Sequence, residues 1–177
     1  IIQPCMVDSW EVWSKDFKPL ALRPFGNKPV WIGYDPAESG DSAGLVVIAP
    51  PEPDYPKFRL LEHHQFKGMD FASQAQYIKK LTTKYNVKYI GLDKSGMGTG
   101  VAQLVLDFFP NLTTFNYSVD VKTQLVMKAM DVINKGRFEF DAGSTDVAMS
   151  IMAIRKTLTA SQRQMTFEAS RAENIGH

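Results

Sequence analysis

The chain predicts an α/β fold built on a mixed central sheet flanked by helices. Three observations lead there. Three short apolar runs follow one another across brief loops, as in an antiparallel meander. A stretch of helical period then leads into a fourth apolar run, which must cross back over the sheet and so lie parallel to the first. The first and fourth runs each end on an aspartate, Asp35 and Asp93, ahead of a Gly-bearing loop.

The elements follow in order along the sequence. Residues 1 to 27 carry Trp10, Trp13 and Phe17 among polar residues and run into the turn-forming stretch from Arg23 to Pro29, which reads as a lead-in segment that packs on, or links to, something. Val30 to Tyr34 is a strand, and Gly44 to Ala49 is a second, rich in β-branched residues. Pro50, Pro51, Pro53 and Pro56 make the turn before a third strand, Phe58 to Phe66. Asp70 to Tyr85 reads as a helix, with Phe71, Ala75, Ile78 and Leu81 on one face and an acid at its start. It delivers the strand Val87 to Asp93. After Gly96-Met97-Gly98-Thr99-Gly100, a helix is expected over Val101 to Phe109, closed by Pro110, and then a short strand over Leu112 to Tyr117. Val121 to Lys135 is a helix stopped by Gly136, Arg137 to Phe140 an extended piece, Thr145 to Leu158 a helix, and Met165 to Ala169 an alternating strand. A three-strand meander, a helix and a strand parallel to the first is the order of the ribonuclease H-like fold.

Bulk properties bound the function. The 177 residues suit one domain, and 44% hydrophobic with 22% charged residues is the composition of a soluble globular protein. No apolar run approaches the roughly 18 residues a membrane helix needs. The opening Ile1-Ile2-Gln3-Pro4-Cys5 lacks the features of a signal peptide, and the single Cys5 can form no internal disulfide. A net charge of +1 does not announce a nucleic-acid partner, so any such role rests on local features.

Asp35 and Asp93 carry the chemistry. Sites in α/β sheets form beyond the carboxyl ends of strands, where connections diverge. Two carboxylates at one such edge suit a hard divalent cation such as magnesium or manganese, which takes oxygen ligands. Singly, a strand-end Asp is as readily a turn former; as a pair they point to a metal site, and two-metal centres of this kind hydrolyse phosphodiesters. The glycine run 96–100 is not a P-loop, because Gly-x-x-x-x-Gly-Lys-Ser/Thr occurs nowhere. It reads as a tight crossing beside Asp93, where backbone N–H groups at a helix start can approach a phosphate. His63 and His64 have no partner at metal-ligand spacing and read as structural or surface residues. Glu38 and Asp41, in the loop after Asp35, are close enough to assist. Lys94, Lys122, Lys128, Arg155, Arg163 and Arg171 are candidate phosphate contacts, with Lys94 favoured for adjoining Asp93 and Arg171 for following a strand.

The stretches Trp31-Ile32-Gly33-Tyr34-Asp35-Pro36-Ala37-Glu38-Ser39-Gly40-Asp41-Ser42, Gly91-Leu92-Asp93-Lys94-Ser95-Gly96-Met97-Gly98-Thr99-Gly100-Val101 and Thr166-Phe167-Glu168-Ala169-Ser170-Arg171 with a trailing Gly176-His177 together resemble the C-terminal nuclease domain of the large terminase subunit of tailed bacteriophages. The resemblance covers residues 28 to 177. It implies a magnesium- or manganese-dependent endonuclease that cuts concatemeric double-stranded DNA during packaging, in the cytoplasm of the infected host. The implied partners are the terminase ATPase domain, the small terminase subunit and the portal protein. The family's first two metal-binding acids fall on Asp35 and Asp93, with Asp35 on both metals and Asp93 on one. Lys94, Lys122 and Arg171 become the DNA-binding candidates, and Glu38, Asp41 and His177 lie beside the ligands. Two departures follow: residues 1 to 27 read as a linker from a missing ATPase domain, and the third acid, which normally comes shortly after the Gly-His pair, is expected to be missing from this chain, which should weaken metal binding and leave the fragment a poor or inactive nuclease. Asp141, Asp146 and Glu173 do not occupy its position. The alternatives are a catalytically incomplete DNA-binding or portal-docking module, and a resolvase or transposase on the same fold.

Overall fold

A computed structural model describes residues 2–8, 15–38, 40–158 and 165–169, with 155–158 and 165–169 as backbone only. The elements are β1 (Met6–Val7), β2 (Pro29–Asp35), β3 (Ser42–Ala49), β4 (Phe58–Lys67), α1 (Phe71–Lys84), β5 (Asn86–Asp93), α2 (Gly98–Leu106), β6 (Thr113–Phe115), α3 (Val119–Asn134), β7 (Phe138–Asp141), α4 (Thr145–Ala153), β8 (Ile154–Leu158) and β9 (Met165–Ala169). Among the described residues the main sheet has seven strands in the order β1-β7-β4-β3-β2-β5-β6. The meander β2-β3-β4 is antiparallel, and β5 and β6 add in parallel beyond β2. On the other side β7 pairs parallel with β4, and β1 parallel with β7.

The period-2 alternation of β3 sorts the two faces. Ala43, Leu45, Val47 and Ala49 face the larger core, where Ala75, Ile78 and Leu81 of α1 and Val101, Ala102 and Val105 of α2 cover Val30, Ile32, Ile90 and Leu92. Val46 and Ile48 point to the opposite face and pack against a smaller cluster of Cys5, Leu60, Ile133, Phe140 and Ala148, under α3 and α4. Cys5 is buried there, its thiol 3.5 Å from the Ile133 carbonyl.

The helix caps follow the sequence. The Asp70 carboxylate accepts from the Ser73 N–H at 2.7 Å to start α1, and Ser118 Oγ accepts from the Val121 N–H at 3.3 Å to start α3. Gly136, at φ +64°, ends α3 in the left-handed region.

Two expectations need correction. The helix expected over 145–158 stops at Ala153, and Ile154–Leu158 is a strand paired antiparallel with Met165–Ala169. Apolar residues of helical period run on through Ile154, but its β-branched side chain and that of Thr157 favour extended backbone once a partner strand is present. The helix after the glycine run begins at Gly98 and ends at Leu106, so Thr99 and Gly100 are helical and Pro110 lies beyond its end.

The lead-in is woven into the fold. Beyond β1, it places Phe17 and Phe25 in the larger core. The Arg59 guanidinium of β4, 2% exposed, bonds both Asp16 carboxylate oxygens at 2.7 and 3.0 Å and stacks on the rings of Phe25 and Tyr55. Trp10 and Trp13 lie outside the described residues.

Candidate active site

The parallel ladder between β2 and β5 fixes the relation of the two acids. Its last pairs are Gly33 with Gly91 and Tyr34 with Leu92, so Asp35 and Asp93 stand at neighbouring positions on one sheet edge. From that edge the chain leaves Asp35 toward β3 on one side and Asp93 toward α2 and β6 on the other. This is the divergence at which open α/β sheets make their sites.

The surrounding loops are built to hold it. Asp93 Oδ1 accepts the Ser95 N–H at 2.8 Å, orienting that carboxylate, and the Lys94 N–H extends the ladder to the Phe115 carbonyl. Gly96 turns with φ +57°, and Gly98 passes so close that an added Cβ would stand 2.2 Å from the Asp93 carbonyl oxygen. The glycine run is therefore the tight crossing its composition suggested, and it sets the start of α2 against Asp93. Asp35, Glu38 and Asp41 line one cleft of about 310 Å³ whose other wall includes Ser95, Met97 and Gly98.

Two contributors escaped the sequence reading. Gln74, on α1 and 1% exposed, accepts from the Tyr34 hydroxyl at 2.8 Å and donates to the carbonyls of Ala37 and Met69 at 2.8 and 3.0 Å. It thereby ties down the loop that follows Asp35. Its signal was a single amide on the helix face that carries Phe71, Ile78 and Leu81. The second is Tyr117, two residues past β6, whose N–H donates to Ser95 Oγ at 2.7 Å. Partial burial and, after it, the charges of Asp35 and Asp93 push its phenol pKa up. The phenol of Tyr34 is pushed up by burial and, secondarily, by Asp35.

The other candidates fall in different places. Lys94 adjoins the site, and Lys122 is exposed in the first turn of α3 at the same edge, with Lys128 further along that helix. Arg155 lies in β8, and Arg163, Arg171, Glu173 and His177 lie outside the described residues. Asp141 ends β7, which β4 and β3 separate from β2. Asp146 sits 3.3 Å from His63 Nδ1 on the opposite side of the meander. Neither is brought to Asp35. His64 stacks on Phe66 and bonds Glu62, a structural role. Among the described residues no three His, Cys, Asp or Glu side chains gather closely enough to hold a metal. The acids that the described sheet edge sets at neighbouring positions are Asp35 and Asp93. Carboxylate oxygens at a strand edge suit a hard divalent cation.

A meander continued by parallel strands, with acids on the first and fourth, defines a ribonuclease H-like domain. The profile of the terminase RNaseH-like domain family matches residues 32–177, and the chain belongs to that family. It is 56% identical over 176 residues to the terminase ATPase subunit of Escherichia phage P2, covering 99% of this chain and 30% of that protein. To the probable terminase ATPase subunit of Haemophilus phage HP1 it is 41% identical over 164 residues, covering 92% of this chain and 27% of the other. The chain thus spans under a third of the length of these curated relatives. The fold is shared with the large terminase nuclease of thermophilic phage G20c solved with magnesium, at TM-score 0.66 and 22% identity over 88% of this chain and 75% of that one. It is shared too with the nuclease domain of the large terminase subunit of bacterial virus Sf6, at TM-score 0.63 and 12% identity over 97% and 86%. Among the described residues no helix is long and apolar enough to cross a membrane.

Proposed function

We propose that this domain is the metal-dependent endonuclease of a phage terminase large subunit, cutting concatemeric double-stranded DNA during genome packaging in the cytoplasm of the infected host. The observation that carries the reading is the juxtaposition of Asp35 and Asp93 on adjacent parallel strands at the diverging sheet edge. The terminase family match supports it, as do the G20c nuclease structures solved with magnesium, cobalt or zinc.

Asp35 would ligate both ions of a Mg2+ or Mn2+ pair and Asp93 one of them, while the Ser95 N–H holds the Asp93 carboxylate in position. When bound, such a pair supplies the Lewis acidity for phosphodiester hydrolysis. Glu38 and Asp41, in the same cleft, and His177 are assigned places beside the ligands. Lys94, Lys122 and Arg171 would hold the DNA backbone, contacts that position a duplex without reading its sequence. In the longer protein, residues before 28 would lead in from an ATPase region, and the small terminase subunit and the portal would be the packaging partners.

A plasmid-nicking assay with Mg2+ or Mn2+, on the chain extended past His177, tests this. Asp35→Asn and Asp93→Asn should each lower cleavage at least about a hundredfold with an unchanged unfolding midpoint. Cutting at the parent rate by either variant sinks the assignment.

A further inference from the structure

We propose that Gln65 and Lys67 of β4 bind the DNA backbone beside the two acids, on the far side of a gap that Gly44 leaves in the sheet face. The inference deepens the nuclease reading and rests on it for the identity of the substrate. Strand register supplies the placement. Val30, Ile32 and Tyr34 turn into the larger core, so alternation puts Asp35 on the opposite face of β2. Asp35 pairs with Gly44 and Gly44 with Gln65, and two residues along β3 Ser42 pairs with Lys67. Directly paired residues share a face, so Gln65 and Lys67 stand on the same side of the sheet as Asp35. His63, two residues before Gln65, agrees with this: its ring meets Ser144 and Asp146 at the start of α4, which covers that side.

Gly44 makes this face a track. A Cβ there would meet nothing within 4 Å among the described residues, whereas at Gly33, on the neighbouring strand, it would stand 3.0 Å from the Val46 side chain. The sheet is therefore open between β2 and β4, and the opening adjoins the cleft that Asp35 shares with Ser42. Gln65 and Lys67 are both exposed, and neither side chain has a hydrogen-bond or ion-pair partner among the described residues. Two strand spacings set β4 roughly 10 Å from β2, so these residues would meet a different phosphate from the one at the acids. Asp35 and Asp93 repel a phosphodiester. An ammonium and an amide N–H beyond the gap supply attraction where that repulsion has weakened with distance, and so hold the duplex across the site.

Because both side chains are exposed, truncating them should leave the unfolding midpoint at the parent value. Duplex affinity is read by fluorescence anisotropy of a labelled oligonucleotide duplex in Ca2+, on the chain extended past His177. Lys67→Ala should lower it about tenfold, the size of one hydrogen bond to a charged group. The slope of log affinity against log salt should shrink by about one, while Lys67→Arg keeps both slope and affinity. Gln65→Ala should lose about threefold in affinity with the slope unchanged. Lys79, exposed on α1 across the sheet, is the control, and Lys79→Ala should bind as the parent does. Parent-level binding by Lys67→Ala or by Gln65→Ala overturns the proposal, as does an equal loss in Lys79→Ala or a parent that binds no duplex at all. A parent that binds in a Lys67-dependent way but never cuts sinks the nuclease reading and leaves the contact standing.

Discussion

Asp35 and Asp93 are held where they stand by residues that leave little slack. Gly98 is the sharpest case, since the atom a Cβ would strike is the Asp93 backbone carbonyl, which cannot swing aside as a long side chain can. Gly98→Ala is expected to displace that carbonyl, destabilise the domain by about 2 kcal/mol and lower cleavage, read by denaturant unfolding alongside the nicking assay. Away from the site, Glu62 contributes to the acid response. Burial raises its pKa, but hydrogen bonds from His64, Tyr85 and Lys84 outweigh burial and hold it at about 2 against a usual 4.5. A depressed carboxyl stabilises the fold above its unfolded value and stops doing so as pH falls through the folded one. The contribution, on the order of 3 kcal/mol, should therefore be complete above about pH 5 and lost toward pH 2. The stability difference between the parent and Glu62→Gln, followed from pH 7 to pH 2, should shrink to nothing over that range; a difference independent of pH contradicts the assignment.

At the scale of elements, α1 does two jobs with one face. Ala75, Ile78 and Leu81 seal the larger core, while Gln74 on the same side reaches the loop after Asp35. Gln74→Leu keeps the volume but strips partners from the Tyr34 hydroxyl and from the Ala37 and Met69 carbonyls. It should cost about 3 kcal/mol of stability by chemical denaturation, and it should reduce cleavage by loosening the Asp35 loop. The elements also show where local pattern stops being informative. β2 to β5 were legible because each is an apolar run bounded by turn residues. The strand at Ile154 was not, because its pairing with β9 is a contact between segments separated in sequence, and apolar period alone reads that stretch as helix. The early start of α2 has a similar origin: glycines that locally favour a loop become helical where Gly98 must fit against the Asp93 carbonyl and Gly100 against the Phe71 ring.

For the whole molecule, the segment before β2 behaves as part of the fold. Asp16 pairs with the buried Arg59, Lys28 bridges Asp16 and Glu52, and Lys57 and Tyr55 bond Glu139 on β7. This network joins the lead-in, β4 and β7. Asp16→Ala should cost about 3 kcal/mol, since it takes the carboxylate from a buried guanidinium. Removing residues 1–27 should lower the thermal midpoint further by stripping β1, Phe17 and Phe25; an unchanged midpoint would show that the independent domain begins at residue 28. By itself, the sequence determined the fold class, the strand order of the meander and the two acids, because alternation, turn residues and strand-end aspartates are local and repeat with fixed period. Only the tertiary structure decided that β6 adds beyond β5, that Asp141 and Asp146 stay away from Asp35, and that Gln74 ties down the loop after it. Those relations depend on which strands share an edge and which side chains meet across it, and such long-range pairing leaves no periodic trace in the chain.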